Sequence, residues 1–237
     1  MEQLIKTVIL GVIQGLTEWL PISSSGHLEL AERFLGLSVP LVFDVILHVG
    51  TLMVILAFFK SDVKGVLLAL MRLDFKTDYG KLIPLIIVGT VPTAFIGLVL
   101  YTFFEEFLQE VLTIAVGFIA CGMVLFSAKA GREKKGEIGF FEAFLVGVVQ
   151  GIAVIPGLSR SGLTIATALL LGIRKEKAFK FSFLLSVPAV IGALALTLYT
   201  EFDRLAFSSF GLAEAVVGMG VALIVGYLAL KLLWKVL

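Results

Sequence analysis

The sequence predicts an all-α integral membrane protein: a polytopic helical bundle with two inverted-topology repeats, each carrying a broken, re-entrant helical hairpin. Three observations predict this class. Of the 237 residues, 59% are hydrophobic and only 16% charged, against about 25% charged in a soluble domain, and the mean hydropathy is +1.08. Two apolar stretches, GVIQGLTEWLPISSSGH (11–27) and GVVQGIAVIPGLSRSGLT (147–164), carry prolines, serines and charges in their middles, features that are costly in hydrocarbon unless the broken backbone lines a protein cavity. Finally, the two stretches repeat one design. Gln14 matches Gln150, Gly15 matches Gly151, and Ser23, Ser25 and Gly26 match Ser159, Ser161 and Gly162, all at one offset, while Pro21 slips by one place against Pro156.

A spanning α-helix needs about 20 mostly apolar residues. Five segments qualify: 41–60, 81–104, 111–128, 181–199 and 211–233. Basic residues cluster at 60–81 (Lys60, Lys64, Arg72, Lys76, Lys81), at 129–135 (Lys129, Arg132, Lys134, Lys135), in a loop at 174–180 (Arg174, Lys175, Lys177, Lys180) and in the tail (Lys231, Lys235). The positive-inside rule makes these four regions cytoplasmic. The acidic connection Glu105, Glu106, Glu110 and the weakly charged stretch 200–214 then face out.

This assignment constrains the broken stretches. Between two cytoplasmic regions the chain must cross an even number of times, yet 162–172 is too short to span at about 1.5 Å per residue. Residues 140–172 are therefore expected to form a hairpin that enters from the cytoplasm, breaks at Pro156-Gly157 and returns. The 41–60 span ends inside, so 4–36 is expected to be the mirror hairpin, entering from outside and broken at Pro21; Lys6 pulls the other way. The result is a single polytopic domain over 1–237, with repeat one at about 1–128 and repeat two at about 138–237. GTVPTAFIG (89–97) and LSVPAVIG (185–192) extend the match weakly. Inverted repeats of this kind place a site near the bilayer midplane.

Other features narrow the function. A net charge of +1 gives no case for nucleic acid. The single cysteine, Cys121, excludes an internal disulfide and reads as a small core residue. The first residues lack the cleavage pattern of a signal peptide. The Phe residues, 20 in all, read as mostly lipid-facing or core.

The chemistry concentrates in the breaks. Gln14 and Glu18 are i,i+4 and share a helix face. An ionised Glu18 in an apolar helix needs a cation, a metal or a hydrogen-bond partner; a structural bond to the nearby backbone break is the plainer alternative. Ser23, Ser24, Ser25, Gly26 and His27 come after Pro21, where unwound N–H groups and a helix start would suit a phosphate; helix capping is the plainer role for each serine. Ser159, Arg160, Ser161 and Gly162 bring the same loop from the other side with a guanidinium, which grips phosphate oxygens with paired donors. Asp44 and His48, i,i+4 on the 41–60 helix, either serve this site from behind or only pair to hold helices together. Glu29, Glu32 and Arg33 read as a wetted interfacial face.

These motifs resemble the undecaprenyl-pyrophosphate phosphatase family associated with bacitracin resistance. The family's first motif reads here as Gln14 and Glu18, with the serine turn Ser23 to His27 after it. Its Pro-Gly-x-Ser-Arg-Ser-x-x-Thr motif reads as Pro156, Gly157, Ser159, Arg160, Ser161 and Thr164 without mismatch, and its Phe-Asp…His-x-Gly-Thr pattern as Phe43, Asp44, His48, Gly50 and Thr51. Many members carry a further transmembrane helix beyond the position of Leu237. The resemblance implies removal of the terminal phosphate from a C55 polyprenyl pyrophosphate, which recycles the lipid carrier of cell-wall precursors. It further implies a divalent metal cation, Mg or Ca; a multi-pass place in the bacterial plasma (inner) membrane with the active site open to the outer face; and a homodimer as a candidate assembly.

The mechanism expected on this basis is in-line phosphoryl transfer, which rests on positioning and charge neutralisation. Arg160 and the loop amides would hold the phosphates. Glu18, helped by Gln14, would hold the metal. Ser24 would be the nucleophile and His27 its proton partner, with Gln14, Ser23, Ser25, Gly26, Ser159, Ser161, Gly162 and Thr164 on the substrate. A metal-bound water attacking in place of Ser24 is the alternative chemistry. A polyprenyl-phosphate flippase or anion transporter on the same inverted repeat is the alternative function, although a carboxylate at 18 serves a metal-assisted hydrolase better than an anion carrier.

Overall fold

The computed structural model describes residues 2–37, 39–108, 110–131, 136–205 and 211–236. Among the described residues there are ten α-helices and no strand. The helices are α1 (Glu2–Trp19), α2 (Ser24–Phe34), α3 (Leu41–Phe58), α4 (Lys60–Met71), α5 (Leu82–Leu108), α6 (Val111–Ser127), α7 (Phe140–Ile152), α8 (Arg160–Leu170), α9 (Lys175–Leu205) and α10 (Leu212–Val236), with one 3-10 turn at Ala128–Ala130. Five segments are long and apolar enough to cross a membrane: Leu41–Phe58, Leu82–Phe104, Val111–Ala130, Lys175–Thr200 and Leu212–Lys235. They coincide with the five that hydropathy predicts.

Two segments differ from expectation. Residues 60–71, read as part of a basic connection, form α4, which begins directly after a break at Phe59. Residues 175–180, read as a loop, are the first turns of α9. The reason is local: α8 is stopped by a Schellman motif, in which Gly172 (φ +86°) turns left-handed, its N–H bonds to Leu169 and that of Ile173 bonds to Ala168. The turn is then complete by residue 173 and the charged residues start the next helix. Of the basic residues at 129–135, Arg132, Lys134 and Lys135 lie outside the described residues.

Both predicted breaks are present. α1 ends at Trp19 and α2 starts at Ser24; α7 ends at Ile152 and α8 starts at Arg160. α2 and α8 contain 11 residues each, about 16 Å of helix. They share both boundaries. Each opens on a serine cap, and α2 closes on the same motif as α8, with Gly36 (φ +63°) bonded to Arg33 and Leu37 to Glu32.

Glycine seams fix the helices that carry the breaks. α1 packs along α10, where a Cβ on Gly11 would stand 2.8 Å from the Gly218 carbonyl and one on Gly15 2.8 Å from the Gly226 nitrogen. α7 packs along α5 in the same manner: a Cβ on Gly147 would stand 2.1 Å from the Gly89 carbonyl. Small residues allow such backbone approach between helices in lipid. A core of Trp19, Val54, Ile55, Phe59, Ile165, Phe183 and Leu230 ties α1, α3, α8, α9 and α10 together beneath the breaks.

Candidate active site

The two breaks meet. Ser23 Oγ accepts from Gly26 N (3.3 Å), as the cap of α2, and from Gly157 N in the other break (3.1 Å). Ser23 itself sits at φ +69°, a strained region for a residue with a side chain, and strain of this kind gathers at functional sites. Its counterpart Ser159 caps α8 by accepting from Gly162 N at 3.1 Å. Each cap hydroxyl also lies near the hydroxyl two residues on, Ser25 at 3.4 Å and Ser161 at 3.3 Å. The loops can approach this closely because residues 26, 157 and 162 are glycines: a Cβ on Gly26 would stand 2.9 Å from Gly157 N, and one on Gly162 2.9 Å from Pro21 Cβ.

Glu18 is the centre of the cluster and is buried. Its Oε1 pairs with Arg160 Nη2. Its Oε2 accepts from Ser24 Oγ (2.6 Å) and Gln14 Nε2 (3.1 Å) and lies 3.5 Å from His48 Nε2. The Glu18 backbone carbonyl accepts from Ser161 Oγ at 3.3 Å. Five of the residues singled out in the sequence therefore surround one carboxylate: Gln14, Ser24, His48, Arg160 and, through the backbone, Ser161. Two polar atoms here are buried without a hydrogen-bond partner, Arg160 Nη1 and Gln14 Oε1.

Other predicted residues stand elsewhere. His27 is not bonded to Ser24; its Nδ1 donates to the Ser23 carbonyl (2.7 Å) and its ring meets Phe118 edge-on, with centroids 5.1 Å apart. Thr164 bonds back to the Arg160 carbonyl at 2.8 Å, one turn into α8. His48 Nδ1 donates to the Asp44 backbone carbonyl (2.8 Å), so the Asp44 carboxylate is left to another partner. That partner is Glu32. The two carboxyl groups interact directly, each keeps one buried oxygen without a partner, and Glu32 is 8% exposed. Glu32 is thus not part of a wetted face, whereas Glu29 and Arg33 are, pairing at 2.8 Å on the exposed side of α2. Period does not separate them, since residues three and four apart share a helix face; Glu32 stands on the side of α2 that carries the buried Leu28, one turn before it.

Two residues to which the sequence assigns no part in the site join it. Thr51 accepts from Gln14 Nε2 at 3.4 Å, and Cys121 Sγ accepts from Ser159 N at 3.4 Å, fastening the second break to α6. Cys121 is otherwise the buried small residue expected of it. Among the described residues, no group of three His, Cys, Asp or Glu side chains is placed to hold a metal ion.

The cluster thus brings together two helix starts, a guanidinium with one buried nitrogen lacking a hydrogen-bond partner, a carboxylate and a hydroxyl bonded to it, a set of groups with the chemistry to bind an anion. Comparisons with known proteins show the family. The family model described as "Bacitracin resistance protein BacA" matches residues 7–237. An undecaprenyl-diphosphatase of Carboxydothermus hydrogenoformans is 42% identical over 98% of this chain and 88% of its own. One of Methanosphaera stadtmanae is 38% identical over 100% of this chain and 91% of its own. Undecaprenyl-diphosphatase 4 of Bacillus thuringiensis is 39% identical over 96% of this chain and 86% of its own. With a match that takes in both breaks and every helix between them, this chain belongs to the bacitracin resistance protein BacA family.

Proposed function

We infer that this chain is a membrane phosphatase that hydrolyses undecaprenyl pyrophosphate to undecaprenyl phosphate and inorganic phosphate. The observation that carries the reading is Arg160 Nη1, buried with no hydrogen-bond partner beside two helix starts. An unsatisfied buried donor of this kind costs about 1–3 kcal/mol, and more when charged. Phosphate oxygens are the acceptors that a planar guanidinium matches best. The relatives' names supply the lipid half of the substrate.

Ser24 Oγ attacks the terminal phosphorus. The bond to the bridging oxygen breaks, its electron pair leaves with undecaprenyl phosphate, and water then cleaves the phosphoserine. The serine's proton passes to Glu18, the acceptor that it already has at 2.6 Å. His27, with Nδ1 engaged, keeps Nε2 for the proton of the second step. Gln14 Oε1 and Glu18 are oxygen donors that fit Mg or Ca, and the orphaned amide oxygen of Gln14 speaks for such an ion. The protein would contribute these two ligands and the phosphates the rest, as Mg sites commonly do. When bound, the ion neutralises phosphate charge.

The architecture supporting this reaction is an inverted repeat with two re-entrant hairpins, α1–α2 and α7–α8. What supports it is the shared sequence offset, the shared cap and stop of α2 and α8, the pairing of α1 with α10 and of α7 with α5, and lengths of about 16 Å for α2 and α8 against about 30 Å of hydrocarbon. The chain sits in the plasma membrane with the site open outward, on the charge asymmetry of its ends. The test is phosphate release from undecaprenyl pyrophosphate by the purified protein in detergent, with and without chelator and with Arg160→Ala as control. Release by the control at the wild-type rate sinks the reading.

A further inference from the structure

We propose that an apolar cleft on the α6 side of the meeting breaks holds the near end of the substrate's isoprenoid tail, and that Gly122 keeps it open; this rests on the reading of the chain as a polyprenyl-pyrophosphate phosphatase. The cleft has a volume of about 330 Å³, and its lining includes Pro21, His27, Phe118, Cys121, Gly122, Leu125 and, from the second break, Gly157.

Position comes first. Gly157 is bonded to the cap of α2, whose next residue is Ser24. A chain lying in the cleft therefore ends beside the phosphate cluster. His27 forms part of the wall with its ring against Phe118, so the tail would also shield the imidazole from bulk water.

Chemistry comes second. Apart from His27, no wall side chain carries a group that demands water, and the one thiol is engaged by Ser159 N. The cleft therefore suits hydrocarbon. Phe118, Cys121, Gly122 and Leu125 recur at helical spacing and line about 10 Å of α6. The volume stands at the low end for a ligand site, so it takes the first isoprene units and not a C55 chain. The rest has a path: Ile119, Met123 and Phe126 on the same helix are 64%, 63% and 71% exposed, a face made for acyl chains.

Gly122 is the specific feature. Gly117, five residues earlier, is a packing glycine, since a Cβ there would stand 2.5 Å from the Pro156 carbonyl. A Cβ on Gly122 would meet nothing within 4 Å. Packing gives no reason for glycine at 122, and glycine weakens a helix interior. An open cleft supplies the reason.

The test is Gly122→Phe in the full chain in detergent. The expected result is a KM for undecaprenyl pyrophosphate raised tenfold or more, with the inhibition constant of inorganic pyrophosphate, a probe with a head group and no tail, unchanged. An unchanged KM overturns the proposal. So does a parallel loss of both constants, which would mean damage to the phosphate site. Leu125 replaced by a photoreactive benzophenone side chain gives an independent readout if the phenylalanine variant does not fold: crosslinking to labelled undecaprenyl pyrophosphate is expected, and capture of detergent or phospholipid alone at saturating substrate overturns the cleft. Absence of any polyprenyl-pyrophosphate turnover by the wild type sinks the enzymatic reading first. Wild-type turnover with an indifferent Gly122→Phe sinks only the cleft.

Discussion

The carboxylate of Glu18 and the guanidinium of Arg160 form a buried ion pair that joins the first broken helix to the second. Arg160 spends one terminal nitrogen on Glu18 and leaves the other without a partner. Arg160→Lys keeps the charge but has a single point donor group, so it can serve the carboxylate or the phosphate and not both in the same geometry. Its expected effect is a loss of kcat/KM on the order of tenfold or more, worth about 1.4 kcal/mol or more of transition-state binding, with the fold intact. Near-normal turnover would remove Arg160 from the phosphate site.

Gly157 tests the junction of the breaks. Its φ is +91° and a Cβ there would stand 2.3 Å from the Ile114 carbonyl. Gly157→Ala meets both backbone strain, about 1–3 kcal/mol, and a clash with an atom that cannot rotate away. The expected outcome is a thermal midpoint in detergent lowered by roughly 2–4 °C per kcal/mol lost. Gly220→Ala in α10, where a Cβ meets nothing within 4 Å, is expected to keep or slightly raise the midpoint. Equal behaviour of the two variants would show that the left-handed turn at 157 is not needed.

The range of each interaction decides how much of this was legible in the sequence. Gln14 and Glu18 face together because they are one helical turn apart, and Ser23 and Ser159 each cap an N–H only three residues further along the chain. These are local and can be read directly. Glu32 against Asp44, Gln14 against Thr51 and Ser159 against Cys121 join different helices, and nothing in the chain near either partner announces the other. The Glu18–Arg160 pair was not legible either: the repeat relates the two breaks in sequence, whereas Glu18 taken singly reads as a metal ligand and Arg160 as a phosphate binder. α4 escaped notice because its four charged or polar residues, Lys60, Ser61, Asp62 and Lys64, fall in its first five positions and extend the basic connection, while most of its apolar residues follow in the run 66–71.

Topology can be tested from the ends of the second hairpin. Lys129 and Lys177 are exposed residues that flank α7 and α8, and a re-entrant hairpin puts both on the cytoplasmic side. With Cys121 replaced by Ala, single cysteines at these positions are expected to react with an impermeant thiol reagent only in opened cells. A cysteine at Glu110 is expected to react in intact cells. Labelling of positions 129 and 177 from opposite sides would mean that α7 and α8 together cross the membrane, which destroys the re-entrant reading.

Ser24 decides between two chemistries. Its hydroxyl already donates to Glu18 at 2.6 Å, and it opens α2, where the first N–H groups have no intrahelical carbonyl to bind. If Ser24 is the nucleophile, Ser24→Ala abolishes turnover while pyrophosphate still binds, because the guanidinium of Arg160 and the helix starts remain, as would a metal held at Glu18. If a water attacks, the same change removes one hydrogen bond to a charged group, about 1.5–3 kcal/mol, or roughly ten- to two-hundredfold in rate. The measurements are the phosphate-release rate of Ser24→Ala and the protein-bound label of His27→Ala after brief exposure to substrate labelled in its terminal phosphate. In the proposed mechanism His27, held through Nδ1 on the Ser23 carbonyl, serves the second step, so its loss is expected to let the phosphoserine accumulate. Label on the enzyme establishes the covalent route. A Ser24→Ala enzyme that keeps a few per cent of its activity ends the nucleophile assignment, and the serine is then one more donor on the phosphate.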